Sequence, residues 1–147
     1  MKIAVAIIHG IGEQKSDFAD GIMEELSDRF ASLVGAKALN PRDELVMEPV
    51  YWAPVLQLAE NKLWNRLLSG GELDFLGLRK FMVNFAADAI AYQPAPKERD
   101  VYDKVHVEVA KAMSRLASSA GADAPLCVIS HSLGTIVTSN YFYDLQK

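Results

Sequence analysis

The residues Ser130-His131-Ser132-Leu133-Gly134 carry the chemistry this chain is best equipped for. A serine with small residues two before and two after it, set between a buried strand and a helix, forms a variant of the G-x-S-x-G nucleophile elbow. That turn holds the serine on a strained corner, with its Oγ standing clear at the top of a sheet. The flanking positions must be small because the helix and strand backbones nearly touch there. Gly134 meets the requirement, and Ser130, though not the usual glycine, remains small. Ser132 also falls at a helix N-terminus, where N–H groups and the helix dipole stabilise developing negative charge. The chemistry predicted is attack of a hydroxyl on an acyl carbonyl. The plainer alternative is that Ser132 only caps the last helix.

Such an attack leaves charge on the carbonyl oxygen, and two backbone N–H groups are needed to receive it. One belongs to the residue after the nucleophile, here Leu133. The other comes from a turn after an earlier strand, and His9-Gly10-Ile11-Gly12 suits it. Its glycines permit unusual dihedrals and close approach to a ligand. Ile11 is the expected donor, with Gly10 second, and His9 is placed to brace the turn by a hydrogen bond. The alternative is a tight turn that binds nothing. A parallel sheet would put both turns at the C-terminal ends of its strands, where ligands bind.

The elements that must position these residues are readable from periodicity. Residues 2–8 form a short, nearly all-apolar, β-branched run, as in a strand buried on both faces. Phe18, Ile22, Leu26, Phe30 and Leu33 mark one helical face, with Ser16 or Asp17 as N-cap and Gly35 as C-cap. Residues 44–51 read as a second strand, in which Pro49 predicts either interrupted pairing or an edge position. Pro54 opens a helix carrying Leu56, Leu63 and Leu67. Ser69-Gly70-Gly71 breaks it, a second helix spans about 78–92, and Gln93-Pro94-Ala95-Pro96 stops that one. Asp100 begins a helix with Val101, Val105, Val109, Ala112, Met113 and Leu116 inward and Gly121 near its end. Residues 125–130 are a third buried strand. The last helix carries Leu133, Ile136, Val137, Tyr141 and Leu145 on its apolar side. Alternating strands and helices predict a parallel α/β sheet. Its three strands are expected at about 3–8, 44–51 and 126–130.

Composition narrows the function classes. The chain has 147 residues, half of them hydrophobic, enough for one domain with a real core. Its charge, 15 − 19 = −4, includes no basic block, so no nucleic-acid partner is expected. No apolar stretch reaches the ~20 residues of a membrane span, and no signal peptide is read. Cys127 alone cannot make an internal disulfide framework or a multi-cysteine metal site, and no cofactor or metal is expected. These features together predict a cytoplasmic location.

The stretches Ile7-Ile8-His9-Gly10-Ile11-Gly12-Glu13-Gln14 and 129–141 resemble the α/β-hydrolase superfamily. More narrowly, they resemble bacterial serine hydrolases of the lipase/esterase type with an HGIGEQ turn. The resemblance implies Ser132 as nucleophile, residues 9–12 as oxyanion loop and 53–96 as a helical lid-like insertion. It also implies a three-layer α/β/α domain with the first strand central, an incomplete hydrolase fold spanning 1–147. The family order is serine, then acid, then histidine. After Ser132 this chain offers only Asp144, about three turns into the following helix, and no histidine. His131 is expected to point away and pack beside the sheet, and His106 to be a partly buried helix residue beside Tyr102, Val109 and Met113.

The expected function is therefore hydrolysis of a small-molecule or lipid carboxylic ester, with the acid and histidine supplied from beyond residue 147. A rival expectation is a non-catalytic α/β module. In either, the exposed edge of 126–130 would pair with a second copy or with a missing C-terminal part. The insertion, rich in Leu and Phe with Trp64 and Met82, would suit an acyl chain or a membrane interface. A phosphate-binding reading of the 9–12 turn ranks last, for want of G-x-G-x-x-G or a Walker lysine.

Overall fold

The computed structural model describes residues 2–12, 14–35, 40–56, 92 and 100–147. Three parallel strands form one sheet in the order β2-β1-β3, with β1 at Ile3–Ile8, β2 at Leu45–Val50 and β3 at Leu126–Ser130. The central strand is the β-branched run, and all but its first residue are buried. Pro49 lies in register with Ile7 on an edge strand whose pairing is continuous, so its missing N–H costs no ladder bond with β1.

Side-chain alternation along β1 builds two cores. Ala4, Ala6 and Ile8 face the long helix α3 (Asp100–Ala120) and the last helix α4 (Leu133–Asp144). Val5 and Ile7 face the other way, toward α1 (Asp20–Val34), so the domain has three layers. A four-residue helix, α2 (Pro41–Glu44), leads into β2 and was not foreseen. Tyr102, Val105, Val109, Ala112 and Leu116 of α3 are all buried, at alternating spacings of three and four. Each fully buried aliphatic side chain among them contributes roughly 1.5–3 kcal/mol. Gly121, at φ 101°, ends the helix and returns its N–H to the Ala117 carbonyl at 3.0 Å.

Four expectations need correction. β3 is not buried: Leu126 and Cys127 are exposed and the other three residues half-buried, because among the described residues no strand pairs with its outer edge. The N-cap of α1 is Ala19, without a side-chain cap, because a turn over 16–19 intervenes before the helix. The Asp17 carbonyl, not its side chain, takes the Asp20 N–H at 3.1 Å. The covered stripe of α1 is also rotated by about one residue. Met23 and Leu26 reach Val5 and Ile7, whereas Ile22 is exposed and Leu33 is 85% exposed. In α4, Leu133, Gly134, Val137 and Tyr141 are buried, but Ile136 and Leu145 are 52% and 66% exposed. That helix is apolar around much of its circumference, so periodicity could not say which flank the domain would cover.

Residues 53–56 are helical, and Leu56 and Tyr92 are both buried in the main core. The two helices expected around 57–91, the break at 69–71, the stop at 93–96 and the lid-like insertion lie outside the described residues. Among the described residues no helix is long and apolar enough to cross a membrane.

Candidate active site

β1 and β3 lie side by side in parallel, so their C-terminal ends bring the turns at 9–12 and 130–134 together. The ladder runs one residue past β3, with the His131 N–H on the Ile8 carbonyl at 3.2 Å. The chain then reverses at Ser132, whose φ of 52° and ψ of −126° make it the sole described non-glycine residue with positive φ. A Cβ-bearing residue in so sparsely populated a region costs of order 1–3 kcal/mol. The serine is exposed, and its Oγ makes no capping hydrogen bond to α4. A mere N-cap serine would spend its oxygen on the N–H of the second or third helical residue. Here the Ser132 carbonyl binds the first turn instead, accepting the Thr135 N–H at 2.9 Å and its Oγ1–H at 2.6 Å.

Two glycines make the corner possible. A Cβ on Gly134 would collide with the His9 carbonyl and stand 3.0 Å from the Ile8 oxygen. A Cβ on Gly10 would lie 2.9 Å from the Ser132 Cβ and 3.0 Å from the His131 carbonyl. The 9–12 turn therefore rests directly against the serine. Among the described residues, neither the Leu133 nor the Ile11 N–H has a hydrogen-bond acceptor. Leu133 is the first residue of α4, whose leading N–H groups have no intrahelical partner.

His9 is the bracket of this corner. It is 5% exposed, with its ring stacked on Trp52 at 4.6 Å and met edge-on by Phe18 at 4.9 Å. Its Nε2 accepts the Trp52 and Ala53 N–H groups at 3.1 and 3.3 Å. With that lone pair engaged, the ring proton sits on Nδ1 and is donated to the Gly10 carbonyl at 2.6 Å. Trp52 Nε1 donates to the His9 carbonyl at 3.2 Å, and the Tyr51 hydroxyl donates to the Gln14 carbonyl at 2.9 Å. Tyr51 and Trp52 were missed in the sequence. They follow a strand, and an aromatic pair there carries no signal distinguishing a clamp from ordinary core.

The other histidines sit elsewhere. His106, on α3, meets the Tyr92 hydroxyl at 2.9 Å through Nε2, and its Nδ1 is 3.9 Å from Asp144 Oδ2. The Tyr102 hydroxyl donates to the same carboxylate oxygen at 2.8 Å, and Asn140 Nδ2 approaches the Tyr92 hydroxyl at 3.4 Å. Burial, partly opposed by the Asn140 hydrogen bond, pushes the Tyr92 phenol well above its usual range, and burial also raises Tyr141. This cluster pins Tyr92 between α3 and α4. His131 is exposed, and does not pack beside the sheet as expected: Gly10 and the tight corner leave its side chain outside the core. No histidine hydrogen-bonds Ser132 Oγ, although all three of the chain are among the described residues. No cluster of three metal-ligating side chains occurs among the described residues.

Comparison with protein-family models, with curated proteins and with solved structures finds no match.

Proposed function

We infer that the β3–α4 corner is the nucleophile and oxyanion site of a serine hydrolase acting on carboxylic esters. The observation that carries this is Ser132 itself. It is held at positive φ, its Oγ is not spent on a cap, and it lies against a glycine turn of the neighbouring strand. A structural loop has no need of that strain. A nucleophile does, because the corner lifts Oγ away from its own backbone. In this reading Oγ bonds to the ester carbonyl carbon, its proton passes to a base, and the carbonyl oxygen becomes an oxyanion held by Leu133 and Ile11 N–H. The His9 and His106 nitrogens are committed elsewhere, and His131, exposed beside the serine, makes no hydrogen bond to its Oγ, so in this reading the base is a histidine supplied from outside residues 1–147, with its acid partner. The ester is a small molecule or a lipid. In this reading the chemistry takes place in the cytoplasm, a location supported by a single cysteine, Cys127, that forms no disulfide.

A fluorophosphonate ester tests the reading, since its phosphorus takes the serine oxygen and releases fluoride. Labelling is expected at Ser132, slowly because among the described residues no base hydrogen-bonds Oγ, and is expected to vanish in Ser132→Ala. Turnover of a short ester by the same chain is expected to be weak. An unactivated serine site retains at most roughly 10³–10⁴-fold catalysis over water. Labelling spread over other serines, or unchanged in Ser132→Ala, sinks the assignment.

A second reading rests on the outer side of β3, where Leu126 and Cys127 are exposed. It makes the chain a binding module that accepts another strand there, with no chemistry at Ser132. That reading gains if Ser132 fails to label while the chain still captures an extended peptide.

A further inference from the structure

We propose that Trp52 and Tyr51, at the end of β2, are positioning residues that aim the oxyanion donors of the 9–12 turn, Trp52 through His9 and Tyr51 through the Gln14 carbonyl. The inference rests on the hydrolase reading and adds to it a part of the molecule, the neighbouring edge strand, that the nucleophile motif does not include.

The argument begins with the planarity of the peptide bond. In a trans peptide the C=O of one residue and the N–H of the next point in opposite directions, and no described peptide is cis. Whatever holds the Gly10 carbonyl therefore aims the Ile11 N–H. What holds it is His9 Nδ1–H, at 2.6 Å. Whatever holds the His9 carbonyl likewise aims the Gly10 N–H, and that is Trp52 Nε1 at 3.2 Å. Both expected donors are thus set by side-chain hydrogen bonds to the carbonyls just before them.

The His9 ring could serve this purpose only with its proton on Nδ1. The Trp52 and Ala53 amides at Nε2 impose that tautomer, because two N–H donors converge on one lone pair. The ring cannot flip either. It is nearly parallel to the Trp52 indole, at 14°, and Phe18 closes its edge. The far end of the loop is fixed by the Tyr51 hydroxyl on the Gln14 carbonyl, while the Gln14 N–H returns to the Gly12 carbonyl at 2.8 Å. The clamp also reaches the elbow, since the His9 carbonyl that Trp52 holds is the group a Cβ on Gly134 would strike. One edge strand therefore fixes both walls of the site without touching the serine. Preorganised N–H donors are worth most where they need not reorganise as charge develops.

Fluorophosphonate labelling of the full chain, followed as rate against reagent concentration, separates this role from a structural one. Trp52→Phe keeps the stacked ring and the backbone amide but removes the Nε1 donor. Its maximal labelling rate is expected to fall by about ten- to a hundredfold, the scale of a slightly misplaced catalytic group. The reagent's half-saturation concentration should stay unchanged. Tyr51→Phe removes one hydroxyl from a half-buried side chain and is expected to lower the same rate by a smaller factor. It carries the test if Trp52→Phe does not fold. The imidazole ¹⁵N shifts of His9 are expected to report the Nδ1–H tautomer. Folded variants that label at the wild-type rate overturn the positioning role alone, as does an Nε2–H tautomer. A wild-type chain that labels no faster than Ser132→Ala overturns the hydrolase reading and this inference with it.

Discussion

The Ser132 backbone and the Gly134 hydrogen make opposite predictions for stability, and both follow from the space around one Cβ. At φ 52° the Ser132 Cβ is strained, so Ser132→Gly is expected to stabilise the fold. The gain is about 1 kcal/mol, strain relief less the added freedom of glycine in the unfolded chain. Ser132→Ala keeps the Cβ and should gain almost nothing, so the difference between the two variants isolates the backbone term in a denaturation series. Gly134→Ala places a methyl against the His9 carbonyl, which is itself held by Trp52. Neither backbone can retreat without breaking the β1–β3 ladder. A loss of about 2–3 kcal/mol or outright misfolding is expected, at the upper end for overpacked sites. A Gly134→Ala protein as stable as wild type would mean that strand and helix are farther apart than the corner requires.

At the scale of elements, the buried aromatic cluster between α3 and α4 has a consequence at high pH. Burial raises the Tyr92 and Tyr141 phenols above the ordinary tyrosine value of 10.0, while the unfolded chain ionises near that value. The unfolded state therefore loses protons first as pH climbs through about 10. Stability is fully present below that pH and declines above it, and absorbance near 295 nm should show part of the tyrosine ionising only as the fold opens. Normal titration of all tyrosines with the fold intact would contradict the burial of this cluster. The strands and the two glycine turns were legible in the sequence because a six-residue β-branched run and a glycine-bounded corner admit few alternatives. The coverage of helices was less so. Leu33, Ile136 and Leu145 fit their stripes, but a stripe says which residues share a face and not what lies opposite. The clamp was invisible for a related reason. Its links run from His9 to residues more than forty positions away, through backbone amides that any sequence would supply.

At the scale of the whole molecule, the described residues leave the outer edge of β3 unpaired, and the candidate site sits at that side. β1 is bonded on both edges, β2 and β3 on one each. β2 carries Pro49, which blunts its outer edge, but among the described residues β3 has no such protection and its Leu126 is 44% exposed. α4, packed over the same strand, exposes Ile136 and Tyr143, and Leu145 just past its end is exposed too. Beside them lies a cavity of about 170 Å³ lined by Met113, Leu116, Leu126, Tyr141, Phe142 and Leu145. An apolar strand edge flanked by apolar helix surface is a template for another strand. A strand added in parallel would end beside Ser132, so in the hydrolase reading a contact that covered this edge would also stand where a base is needed. The purified chain is expected to self-associate with rising concentration in sedimentation velocity, and Leu126→Lys with Ile136→Lys should return it to monomer. Hydrogen exchange gives the independent reading: β3 amides directed away from β1 should exchange far faster than those of β1. A monomer at every concentration, with β3 as protected as β1, would show that this edge is covered within the chain, and the serine's base would then have to be sought among the chain's own residues.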